Sequence, residues 1–330
     1  MNQQDFERQH EESWESLAHM LEMLESGRAK RRNIALFSLP DLGEFPTLYR
    51  QVCHDLALAR DRRYTPYLID KLDRLVSRGH QHLYTARTHA TARILDFVGG
   101  GFPALVRSQA GLFGVAFALL YLPGLLLAIA IHFAPEMVYT MLDPRQVASF
   151  QAMYQPGSTA IGPARDSQTN FMMFGVYVRH NIGIGFQTFA GGLLLGLGTL
   201  FYLVFNSLFM GAVAGYLSHL GYGSTFYPFA IGHGAFELNA IVLSGVAGFR
   251  MGLALLAPGR LGRLQALKEA ARISIRLVYG VVGMFLIAAL IEAFWSSSGT
   301  VPPDVKYTVG AGLWMLVAAY FLLLGRNRAP

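Results

Sequence analysis

The chain has 330 residues, of which 53% are hydrophobic and only 15% are charged, whereas a typical soluble domain carries about 25% charged residues. Its net charge of +6 does not indicate a nucleic-acid partner, because the basic surplus lies mostly in short segments beside apolar runs. Cys53 is the only cysteine, which excludes an intrachain disulfide and a cysteine-rich metal site. The composition indicates a protein whose main partner is the lipid bilayer.

Charged residues are concentrated in the first third of the chain, and long uncharged runs follow. This split predicts two domains. Residues 1–108 are expected to form a cytoplasmic helical domain with an interfacial segment at its end, and residues 109–330 a transmembrane helical domain. In the first domain, apolar residues at helical spacing predict helices over 2–27, 44–61 and 65–97.

The second domain is predicted to be an all-α, polytopic bundle of about six spans, since about 20 apolar residues cross a bilayer as a helix. The uncharged run 181–222 would measure about 60 Å as one helix. We therefore divide it at Asn206–Ser207, with a re-entrant second half as the alternative. The predicted spans are 110–133, 182–205, 207–222, 228–256, 273–294 and 307–324, and residues 134–180 form the outer loop.

Basic residues near the span ends predict the orientation of the bundle. Arg260, Arg263, Lys268 and Arg272 fall on the same side as the N-terminal domain. The positive-inside pattern places that side, and with it both chain termini, in the cytoplasm.

Glycines spaced four residues apart occur within the predicted spans, so that each pair lies on one helix face. Small residues at this spacing let helix backbones approach closely in lipid. Two uses are open, namely tight packing within one chain and the contact face of a homodimer. The pairs are Gly192 and Gly196, Gly211 and Gly215, and Gly248 and Gly252.

Ionisable residues inside a span are costly and therefore mark candidate sites. His233 and Glu237 lie one turn apart on the same face of a predicted span. The chain also offers Asn181, Asn206 and Asn239 as polar neighbours in this cluster. Glu292, at the end of another predicted span, is expected to reach water instead.

Three interpretations of the His233/Glu237 pair are open. The pair can be a buried hydrogen-bonded contact that fixes the bundle, or it can line a polar path in a channel or transporter. It can also ligate a metal, although two ligands are fewer than zinc requires. His180 or His219 would then complete the metal site.

No sequence motif predicts an enzyme. The glycine-rich segments do not follow predicted strands, so no dinucleotide or phosphate loop is expected, and we predict no cofactor. An intramembrane hydrolase is a weaker alternative, because no nucleophile and base stand at a recognisable spacing.

The segment from Asn181 to Gly252 resembles the stage II sporulation protein M family of bacterial membrane proteins. Its most specific motif is Gly232-His233-Gly234-x-x-Glu237, and Asn206-Ser-Leu-Phe-Met-Gly211 also fits. The N-terminal domain is similar to the cytoplasmic part of longer members from bacteria that do not sporulate.

This resemblance implies a multi-pass protein of the bacterial inner membrane. It also implies a non-enzymatic scaffold that organises a cell-envelope complex through cytoplasmic and outer-loop contacts. The partners it implies are envelope or cytoplasmic proteins, with MoxR-type ATPases as one class.

Overall fold

The computed structural model describes residues 2–25, 44–157 and 167–326, and every regular element in these ranges is helical. The predicted all-α fold class is confirmed. Contacts divide the chain into two compact units, Met1–Leu95 and Asp96–Pro330. This boundary precedes the predicted one at residue 108, because the short helix Phe102–Arg107 buries its apolar side chains in the core of the second unit.

The first unit consists of the helices α1 (Gln3–Glu25) and α2 (Phe45–Asp61) and the long helix α3, Pro66–Asp96. Apolar side chains at intervals of three and four residues give each helix one buried face. The core residues include Phe6, Trp14, Leu17, Leu21, Val52, Leu56, Leu68 and Leu72.

One buried polar contact joins α1 to α2. The indole Nε1 of Trp14 donates to Oδ2 of Asp55 at 2.9 Å, and Asp55 is fully buried. His10 Nδ1 lies 3.4 Å from the same oxygen. Since a buried donor without an acceptor is costly, this carboxylate sets how α1 packs on α2.

Asp55→Ala should lower the free energy of opening the α1–α2 contact by about 1–3 kcal/mol, because the indole N–H of Trp14 loses its buried acceptor. Hydrogen exchange of the intact protein in nanodiscs, read by mass spectrometry over residues 3–61, measures this loss. Arg60→Ala is the control, since the pair of Arg60 with Asp73 is exposed and such pairs contribute about 1 kcal/mol or less. Equal exchange in the two variants would contradict the prediction.

The second unit is a helical bundle. Short π or 3-10 turns follow three of its helices, at Pro135–Thr140, Gly191–Leu193 and Ile291–Ser296. Residues 158–166 of the predicted outer loop lie outside the described residues. The helices are α4 (Phe102–Arg107), α5 (Ala110–Phe133), α6 (Pro144–Tyr154), α7 (Ser167–Ala190), α8 (Leu197–His219), α9 (Gly223–Leu256), α10 (Arg263–Leu290) and α11 (Pro303–Leu323).

In the described residues, five helices are long and apolar enough to cross a membrane, one fewer than the six spans expected. They are α5, α8, α9, α10 with its π turn, and α11. Helix α9 contacts α5, α7, α8, α10 and α11. In the most apolar 18-residue stretch of each helix, 67% of the residues of α9 are buried, against 17% for α5 and for α11. Helix α9 is therefore the central helix, and the others surround it.

The predicted break at Asn206–Ser207 is wrong, because both residues lie in the middle of α8. The Nδ2 of Asn206 donates to the carbonyl of Tyr202 in its own helix, and Ser207 Oγ accepts from the amide of Gly124 on α5 at 2.7 Å. Because both polar side chains are hydrogen-bonded inside the bundle, the helix does not have to break to bring them to water. The chain instead turns before Leu197, where Leu195 and Gly196 have φ values of 56° and 84° that a right-handed helix cannot include.

The paired glycines bring backbones of the same chain into contact. At every paired position except Gly196, an added Cβ would lie less than 3.0 Å from a backbone atom of a neighbouring segment, a clash that no side-chain rotation can relieve. Helix α5 thereby lies directly against α8, and α9 against the turn between α7 and α8. The contacting pairs are Gly192 with Gly248, Gly211 with Gly124, Gly215 with Ala128 and Gly252 with Gly196.

Gly211→Ala should lower the thermal stability of the detergent-solubilised protein, because the new methyl forces α5 and α8 apart. Overpacking of this kind costs about 1–3 kcal/mol. The measurement is the midpoint of monodisperse protein lost on heating, read by size-exclusion chromatography. Gly283→Ala is the matched control, since a Cβ there meets nothing within 4 Å and alanine favours the helix by roughly 0.5–1 kcal/mol. Midpoints that shift together would contradict this account.

Candidate functional site

His233 and Glu237 project from the central helix α9, one turn apart as the sequence indicates. His233 Nε2 lies 3.9 Å from Oε2 of Glu237, and the two side chains are 10% and 17% exposed. The central position of α9 buries His233 and partly buries Glu237 among neighbouring helices.

Glu292 completes the cluster from the next helix. One ligand atom each from His233, Glu237 and Glu292 lies within 4.8 Å of the other two. The prediction that Glu292 reaches water is wrong, since the residue is only 9% exposed. It lies in the π turn Ile291–Ser296, where the wider turn changes the direction of successive side chains relative to an α-helix.

Ser296, at the end of the same π turn, connects the cluster to α11. Its hydroxyl lies 3.1 Å from Nδ1 of His233, and its carbonyl accepts from Lys306 Nζ at 2.8 Å. All three residues are buried. The sequence patterns associated neither Lys306 nor Ser296 with the site. The one available signal was that Ser296 follows Glu292 by one helical turn.

The three predicted asparagines lie in different surroundings. Asn206 and Asn239 each donate to a carbonyl four residues earlier in their own helix. Asn181 on α7 is 1% exposed, and neither polar atom of its side chain has a hydrogen-bond partner in the described residues. Of the three, Asn181 alone makes no side-chain hydrogen bond in the described residues.

The histidines considered as additional metal ligands are placed elsewhere. His219 Nδ1 lies 2.9 Å from the carbonyl oxygen of His132, at the end of α5, and His180 is exposed on α7. Neither belongs to the group formed by His233, Glu237 and Glu292. The bundle replaces them with a carboxylate from α10.

This arrangement can do two kinds of chemistry. Two carboxylates and an imidazole in a low-dielectric site can share and move protons, or they can bind a cation. No serine, threonine or cysteine among the described residues is hydrogen-bonded to this histidine except Ser296, and Ser296 also lies beside the ammonium of Lys306.

The fold and the cluster define a polytopic helical membrane protein with an ionisable site between its central helix and α10. The family model of stage II sporulation protein M matches residues 110–297, more than half of the chain, and the chain belongs to this family. Residues 4–85 match a domain of unknown function, DUF8413. No curated protein and no solved structure matches the chain.

Ser296→Ala should destabilise the membrane unit by about 1–3 kcal/mol, because the buried imidazole of His233 loses the Ser296 hydroxyl as a hydrogen-bond partner while little volume is removed. Thermal midpoints in detergent measure the change. Ser298→Ala is the control, since that hydroxyl bonds Thr300 at the exposed end of the connection. An unchanged midpoint for Ser296→Ala would show that the contact contributes nothing to stability.

Proposed function

We propose that the protein is a non-enzymatic scaffold of the bacterial inner membrane that organises a cell-envelope complex. The membrane unit would hold the protein in the bilayer, and the N-terminal unit would dock a soluble partner. The observation that carries this proposal is that Met1–Leu95 is a compact unit with its own hydrophobic core. A helical unit that folds around its own core can present surface side chains to a partner without unfolding.

The closed packing of the membrane unit supports a structural role. Backbone contacts at glycines tie α5 to α8 and α9 to the preceding turn, and His233 is only 8% exposed. A cavity of about 400 Å³ lies at the C-terminal end of α9 and the N-terminal end of α10, away from His233 and Glu237. Its lining includes Leu112, Arg250 and Glu269. That cavity does not include the His233/Glu237 cluster.

The proposed topology has the N-terminal unit and both termini in the cytoplasm. This requires an even number of crossings, so α7 would cross the bilayer in addition to the five apolar helices. The topology is supported by Arg260, which lies between α9 and α10, and by Arg263 at the start of α10. A cytoplasmic partner would then meet the N-terminal unit, and an envelope partner the outer loop. MoxR-type ATPases are the partner class that the resemblance suggests, and a second copy of the chain is a further candidate.

A channel or transporter is the second candidate function. The buried His233–Glu237–Glu292 cluster favours it, because ionisable groups inside a membrane commonly mark ion or proton pathways. In that case Glu237→Gln would abolish ion or proton flux in proteoliposomes, while the scaffold proposal expects no flux in the parent protein.

Photo-crosslinking in native membranes tests the scaffold proposal. Tyr67 on α3 is 77% exposed, so a photoreactive phenylalanine analogue there should capture a discrete protein partner, identified by mass spectrometry. Phe201, exposed on the apolar helix α8, is the matched control and should give lipid adducts or a second copy of the chain. If Tyr67 gives no discrete protein adduct in cells that express the protein normally, the scaffold proposal fails.

A further inference from the structure

The ionisable cluster of the membrane unit has the composition of a metal site. His233, Glu237 and Glu292 each offer one ligand atom, and the three atoms lie within 4.8 Å of one another. We propose that these residues bind a first-row divalent transition ion, with Zn²⁺ and Mn²⁺ as the expected ions. This inference is independent of the scaffold proposal.

Charge balance is the first argument. Two carboxylates in close proximity inside a bundle are expensive, since each charge loses its hydration and repels the other. A divalent cation bound by both gives a neutral complex, which suits a low-dielectric site. The nearby ammonium of Lys306 carries a single charge and is directed at the carbonyl of Ser296.

Ligand chemistry is the second argument. One imidazole nitrogen with two carboxylate oxygens suits Zn²⁺, Mn²⁺ or Fe²⁺, whereas Ca²⁺ and Mg²⁺ prefer oxygen ligands alone. Ligands at about 2.1 Å from a tetrahedral ion are about 3.4 Å apart. The 3.9 Å between His233 Nε2 and Glu237 Oε2 therefore requires only a small rotation of the carboxylate.

The second ring nitrogen of His233 is already held. Its Nδ1 lies 3.1 Å from Ser296 Oγ, and when Nδ1–H donates to that oxygen, the lone pair of Nε2 faces Glu237. Metal-binding histidines usually have such a partner on the nitrogen that does not bind the ion. Ser296 is thus a positioning residue for the proposed site.

Asn181 adds an independent observation. On α7, Phe174 contacts Phe294 and the backbone at Gly185 lies against Phe285, so the same face of α7 runs along the end of α10. Asn181 lies on that face between these two contacts, nearer the level of Phe285 than that of Phe294. Its amide is buried without a hydrogen-bond partner in the described residues, a costly state that a water or ion bound nearby would relieve.

The site has three protein ligands, which leaves a coordination position open. Structural zinc sites usually have four protein ligands, whereas sites that exchange water or substrate keep a position free. The cluster lies where α10 turns toward α11, and the Glu237 side chain retains 17% exposure. Both features give an ion a short route to the site.

Metal analysis of tag-free protein, purified in detergent without chelator, tests the proposal. We expect about one Zn²⁺ or Mn²⁺ per chain. Glu292→Gln and Glu237→Gln should weaken binding at least about tenfold, and Ser296→Ala about tenfold. Glu136→Gln, which removes an exposed carboxylate outside the cluster, should leave binding unchanged.

A second measurement does not depend on the folding of the variants. Wild-type protein is stripped of metal with a chelator, freed of the chelator and titrated with Co²⁺. Visible d–d absorption that saturates at about one Co²⁺ per chain, and that Zn²⁺ displaces, supports the site. Absence of both bound metal and Co²⁺ absorption in monodisperse wild-type protein overturns it and leaves a shared proton as the neutralising charge. Binding that is unchanged in Glu292→Gln and Glu237→Gln also overturns the assignment.

Discussion

Direct backbone contact between helices is the constraint on which the membrane unit depends. Lipid gives apolar side chains little reason to prefer one another, so helices associate through close van der Waals packing. The glycines of α8 and α9 permit this packing against α5 and against the turn before α8. As a result α9 becomes the central helix, although its composition resembles that of the other spans.

The central position of α9 explains the candidate site. A helix that contacts five others has little contact with lipid or water over its middle, so His233 and Glu237 find partners inside the bundle. The π turn of α10 supplies Glu292 and Ser296, and α11 supplies Lys306. Polar groups from three helices therefore meet at one end of the unit, where they also connect these helices to each other.

Sequence patterns predicted well that apolar helices exist, but predicted poorly where they end and which of their polar residues reach water. Asn206 and Ser207 look like a break because polar residues are costly in lipid, yet the carbonyl of Tyr202 and the amide of Gly124 satisfy them. Glu292 was expected to reach water because it stands at a span end. Its burial depends on α7 and α9, which contact the π turn and which no local pattern describes.

The sequence alone determined the all-α membrane class and the one-turn spacing of His233 and Glu237, because hydrophobicity and helical periodicity are local properties. Only the tertiary structure decided that Glu292 and Ser296 join the pair, that Asn181 is buried without a partner in the described residues, and which glycines contact which backbone. These facts depend on helices far apart in the chain, whose mutual rotation and depth are set by packing of the whole bundle.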